Sequence, residues 1–85
     1  VTHLIAESEV ILADAGVDKS ILAPLIQETI FKTISQGASE AQTGPARRGD
    51  NKVIKSHLEM LSDRPAIQKL YKQLSSSIKT LHDRQ

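Results

Sequence analysis

Thr43-Gly44-Pro45-Ala46-Arg47-Arg48-Gly49-Asp50 is the stretch of this 85-residue chain that departs from helical patterning. Two glycines and a proline within it oppose a regular helix, and two arginines stand between those breakers. On either side, apolar residues recur every three to four positions, the spacing of amphipathic helices. The stretch therefore reads as a loop dividing an all-α chain. Asp50 opens the next helical pattern and offers its carboxylate to the amides near Lys52 and Val53. Guanidinium groups on a glycine-punctuated loop that runs into a helix start form a candidate anion-recognition element.

Upstream of the loop, Val1, Leu4, Ile5, Ile11, Leu12 and Ala15 trace one helical face, with Ser8 continuing it. Gly16 is a natural left-handed terminator for that helix, and Asp18 or Ser20 is the expected cap of the second. The second pattern runs from about Ile21 to Gln36, with Pro24 in its first turn, so that regular helix begins near Leu22 or Ala23. Leu22, Leu25, Ile26 and Thr29 make one stripe, and Ile30, Phe31 and Ile34 carry apolar surface further round. A helix apolar over so much of its circumference is expected to be central and also covered by another subunit or domain. Between Gly37 and Gln42, Ser39 is a candidate cap for one helical turn containing Glu40 and Ala41.

Downstream, Ile54, His57, Leu58 and Leu61 mark the inner face of a third helix. Ser62 or Asp63 is the expected cap of a fourth, with Pro65 early in it and Ile67, Leu70, Tyr71, Leu74, Ile78 and Leu81 along its stripe. Of the Ser75-Ser76-Ser77 run, Ser77 is the expected inward residue, and His82 to Gln85 should fray. No repeat, low-complexity tract or alternating strand-like segment interrupts this plan.

Composition narrows the function. A chain this short is one small domain, burying roughly 60% of the surface its unfolded form exposes. It has no cysteine, hence no disulfide or thiolate metal site, which fits a reducing, cytoplasmic setting. One Tyr, one Phe and no Trp leave the core to aliphatic residues and speak against base stacking on single-stranded nucleic acid. A formal net charge of +1 points to neither a polyanion nor an acidic membrane as main partner. No apolar run approaches the roughly 20 residues of a membrane span, and no signal peptide is visible. The chain opens without Met in mid-helix pattern, so a missing upstream portion is expected.

Read as one string, Ala41-Gln42-Thr43-Gly44-Pro45-Ala46-Arg47-Arg48-Gly49-Asp50, followed at helical distance by His57-Leu58, resembles a known pattern. It is similar to the C-terminal helical domain of an uncharacterised family of bacterial Rossmann-type oxidoreductases. Those proteins are related to the 6-phosphogluconate dehydrogenase, pyrroline-5-carboxylate reductase and ketopantoate reductase group. Their pattern is Ala-Leu-Thr-Gly-Pro, two variable residues, Arg-Gly-Asp, then a helix with His-Leu near its middle. Thr43, Gly44, Pro45, Arg48, Gly49, Asp50, His57 and Leu58 match it; Gln42 replaces the usual Leu, and Arg47 is an extra cation. Gly16-Val17-Asp18, Pro24-Leu25-Ile26 and the segment from Pro65 to Tyr71 also fit, so the resemblance covers nearly the whole chain.

The resemblance implies a small bundle of four main helices, similar to the C-terminal domain of 6-phosphogluconate dehydrogenase-like proteins. It also implies an N-terminal dinucleotide-binding Rossmann domain in the parent protein, with NAD(P) as cofactor there. The present chain has no Gly-x-Gly-x-x-Gly after a strand, so alone it is expected to bind no cofactor and to catalyse no hydride transfer. In relatives the helical domain makes the dimer and contributes to the substrate site, so a homodimer is expected. Thr43, Gly44, Pro45, Arg48 and Asp50 become candidates for binding a small anionic substrate, and His57 becomes the candidate catalytic proton donor or orienting group.

Each candidate has a plainer role. The Thr43 hydroxyl can close the turn, Arg48 can pair within the domain, Asp50 is a helix cap first, and His57 can be a buried, hydrogen-bonded structural group. Arg48-Gly49-Asp50 also spells an integrin-ligand tripeptide, which chance accounts for. His3, His57 and His82 are too scattered for a metal site. The competing function is a stand-alone helical homodimerisation module acting through the second helix. A nucleic-acid-binding bundle is a weaker third reading.

Overall fold

The computed structural model describes residues 1–84. It is all-helical, with four main helices: α1 (Thr2–Asp14), α2 (Leu22–Gln36), α5 (Asn51–Met60) and α6 (Pro65–Asp83). Two single-turn helices, α3 (Ala38–Ala41) and α4 (Pro45–Arg48), lie between α2 and α5. The four long elements fall where the apolar periodicity places them. Contacts divide the chain into two compact units, Val1–Ala41 and Gln42–Gln85.

In the first unit α1 ends through paired backbone bonds, Gly16 N–H to Ala13 C=O at 3.0 Å and Val17 N–H to Leu12 C=O at 2.9 Å. These satisfy carbonyls that a helix end otherwise leaves open. The Asp18 carboxylate then accepts from the Ser20 amide at 2.8 Å and caps a short 3-10 turn over Lys19–Ile21, which leads directly into α2. That hydrogen bond, with Lys19 nearby, holds the Asp18 carboxyl below its ordinary range. Pro24 sits early in α2, as its missing N–H requires. Val1, Leu4 and Ile5 at the start of the chain line an apolar groove of about 280 Å³ together with Leu25, Ile26, Thr29 and Ile30 of α2.

The second unit is a hairpin of α5 and α6, joined by a short turn, with α4 packed against both. Ala46 of α4 is the buried apolar residue at its centre, 8% exposed. Ile54, Leu58 and Leu61 of α5 and its end, and Ile67, Leu70 and Ile78 of α6, are half-buried. The Gln68 side chain crosses from α6 to donate to the Leu58 carbonyl at 2.7 Å, near the end of α5, where that carbonyl also accepts from the Leu61 amide.

Several expectations are corrected. The breakers at 44, 45 and 49 do not abolish helix; they frame one turn of it, with Pro45 at the start and Gly49 at the end. Proline is favoured at a first helical position and glycine just past the last, so residues read as breakers act as brackets. Ser39 lies inside α3 rather than capping it. Arg64, not Ser62 or Asp63, occupies the capping position of α6. Ser77 is exposed and Ser75 is the half-buried serine. Helix continues through His82 to Asp83 instead of fraying there, while Gln85 lies outside the described residues.

The wide apolar surface of α2 remains open: Leu25 is 60% exposed, Phe31 67% and Ile34 79%. No helix among the described residues is long and apolar enough to cross a membrane.

Two substitutions test the junction between α4 and α5. Gly49 has φ +71 and ψ 28, the left-handed region in which a Cβ costs about 1–2 kcal/mol. Gly49→Ala should lose about that much stability in urea unfolding, and Asp50→Ala about 1 kcal/mol through loss of the cap. An unchanged midpoint for both variants would contradict the junction described.

Candidate functional site

The loop-derived candidates come together because of backbone chemistry. Gly44 has φ 102 and ψ 175, a conformation that only glycine adopts without strain. It turns the chain so that Pro45 begins α4. At the other end, Gly49 N–H bonds the Ala46 carbonyl at 3.3 Å and Asp50 N–H bonds the Pro45 carbonyl at 2.8 Å, closing the turn. The Asp50 side chain then accepts from the Val53 amide at 3.3 Å and starts α5. One residue thus closes α4 with its amide and opens α5 with its carboxylate.

This assigns Asp50 its capping role and removes one way of binding an anion. The Val53 amide in the first turn of α5 is already bonded to a carboxylate belonging to the chain. Arg48 remains the charged candidate of this turn. Its side chain is 59% exposed and its guanidinium stands 4.0 Å from the Asp50 carboxylate, a loose pair at a solvated site. Such pairs contribute little, so the pairing leaves the fork accessible to a ligand. Thr43 is exposed immediately before Gly44, and Arg47 is exposed beside Arg48. Gln42, where the resembling family has Leu, turns its side-chain amide toward the Thr43 carbonyl at 3.5 Å.

His57 lies on α5 at i+7 from Asp50, about two helical turns or 10 Å along the axis, on the same face. Its partner is Tyr71 of α6, with Nδ1 2.6 Å from the phenolic oxygen and the two rings edge to face at 5.6 Å. Both residues are half-buried, and with Met60 and Leu61 they line a pocket of about 140 Å³. Burial pushes the Tyr71 hydroxyl above its ordinary value, opposed by a hydrogen bond from Ser75. The structure thus gives His57 a neutral hydrogen-bonding partner.

Periodicity places Tyr71 on the apolar stripe of α6 and conceals this pairing. The available signal is two polar tips on two inward stripes, since half-buried hydroxyl and imidazole groups need partners. Gln68 carries no periodic signal at all. Elsewhere, His3 pairs with Glu7 at 3.5 Å along α1. Both ring nitrogens of His82 are shielded from solvent and have no hydrogen-bond partner among the described residues. Among those residues no group of three or more His, Cys, Asp or Glu is placed to hold a metal ion.

A family model described as a domain of unknown function, DUF2520, matches residues 1–78. The crystal structure of a putative NADP oxidoreductase from Bacteroides fragilis is similar to this chain at 42% sequence identity, with a TM-score of 0.89 over 93% of the chain. The matched region is 30% of that protein, so the chain spans less than a third of its length. No curated protein matches.

Tyr71 is the sole tyrosine of the chain, so its ionisation can be followed by ultraviolet absorbance without interference. With burial dominant, its midpoint should lie above the ordinary 10.0. A raised folded-state value means that its contribution to stability is present below the unfolded value and lost as pH rises through the folded one. Tyr71→Phe should therefore lose this part of the alkaline sensitivity. A phenolic midpoint below 10.0 would contradict the burial described.

Proposed function

The chain belongs to the DUF2520 family, and we propose that it is the C-terminal dimerisation and substrate-binding domain of an NADP-dependent oxidoreductase. The observation that carries this reading is its close likeness to part of the Bacteroides fragilis protein, which bears that activity in its name. The cofactor belongs to a Rossmann domain elsewhere in the longer protein, and the helical chain alone binds no nucleotide. Its tasks are to join two protomers and to present recognition groups to the cleft of that partner domain.

Arg48 clamps an anionic substrate group, aided by Thr43 and the Gly44-Pro45 turn. The glycines and proline are there for shape, and Asp50 holds the turn onto α5. His57 supplies a proton or a fixed donor to the reacting group. Dimerisation uses the open face of α2, where Leu25, Ile30, Phe31 and Ile34 leave large apolar surface in water. Fully burying such a side chain from full exposure is worth roughly 1.5–3 kcal/mol, and the part still exposed here contributes a fraction of that to association.

The same exposed face suits a helical association module without redox chemistry. Within this chain, the loop is what separates the two readings. In the longer protein, Arg48→Ala should weaken binding of small carboxylates or phosphates at least tenfold, the typical worth of a charged hydrogen bond; unchanged affinity removes Arg48 from the site. For the association itself, sedimentation of the chain at tens of micromolar should show a dimer that Phe31→Asp or Ile34→Asp dissociates. A clean monomer at high micromolar concentration would contradict the use of α2.

A further inference from the structure

The pairing of His57 with Tyr71 has a direction, and the direction limits what His57 can do. A phenol carries one proton and two lone pairs. Ser75, one helical turn further along α6, is a second hydrogen-bonding partner of the Tyr71 hydroxyl. Burial keeps Tyr71 protonated at neutral pH. Nδ1 of His57 lies 2.6 Å away, and because a phenol is a stronger acid than a neutral imidazole, the shared proton belongs on the Tyr71 oxygen with Nδ1 as its acceptor. The edge-to-face stacking of the rings, 81° apart, fixes the imidazole about this contact.

We propose that Tyr71 is a positioning residue for His57: its hydroxyl donates to Nδ1 and holds the neutral ring as the Nε2–H tautomer. Ser75, Tyr71 and His57 then form a hydrogen-bonded series in which the Tyr71 proton points toward the imidazole. Neutral His57 accordingly offers a donor beyond the pair, at Nε2, and its acceptor nitrogen is occupied. It recognises an acceptor on the substrate, a carbonyl or carboxylate oxygen, and does not serve as a general base toward an N–H or O–H group. This deepens the functional reading of His57 and rests on it.

The test is a long-range proton–nitrogen correlation spectrum of the full chain, recorded about two pH units above the ordinary imidazole value of roughly 6.5. His57 should show a protonated Nε2 and an unprotonated Nδ1. In Tyr71→Phe the population ratio should move roughly fivefold toward Nδ1–H, the weight of one ordinary hydrogen bond. A protonated Nδ1 in the parent chain overturns the proposal, and so does an unchanged ratio in Tyr71→Phe. Should that variant fail to fold, the spectrum of the parent chain alone decides. The functional reading is separable: if the Nε2–H tautomer is found while His57→Asn leaves turnover of the longer oxidoreductase unchanged, His57 has no part in the reaction and the positioning by Tyr71 stands.

Discussion

Asp50 is the hinge of the site because it makes two different bonds in opposite directions along the chain. Its amide closes the turn at Pro45 and its carboxylate opens α5 at Val53. Neither bond is strong in isolation; each is worth about 1 kcal/mol. Together they fix the direction in which α5 leaves α4. That direction sets where Arg48 stands beside the cap and puts His57 on the face of α5 that meets Tyr71. Gly44 and Gly49 make the arrangement possible, since both positions demand positive φ.

Packing alone would not supply this precision. Apart from Ala46, the apolar residues described are half-buried or exposed. In the second unit, directional bonds compensate: Gln68 to the Leu58 carbonyl and His57 to Tyr71 each join α5 to α6. In the first unit the apolar face of α2 stays wet. Such a surface belongs against something, and on our reading it meets the same face of a second protomer.

The helices were legible in the sequence because apolar spacing reports them directly: α2 starts at Leu22 and α5 is capped by Asp50, as the residues require. The turn at Pro45–Arg48 is hidden in the sequence because proline and glycine carry opposite meanings inside a helix and at its two ends. At the start of α6, a serine and an aspartate suited to capping were passed over in favour of Arg64, so local preference yielded to the path of the chain between α5 and α6. Of the candidate site, the contiguous part from Thr43 to Asp50 was legible as one loop. The contact between His57 and Tyr71 spans two helices and depends on their register, which periodicity does not encode.

The oxidoreductase reading stands or falls on whether the turn from Thr43 to Asp50 faces a nucleotide cleft. A crystal structure of the longer protein with NADP and a small carboxylate bound decides it. The Arg48 guanidinium and the His57 ring should be turned toward the ligand in front of the nicotinamide. A turn directed into solvent, away from the bound nucleotide, would contradict this reading.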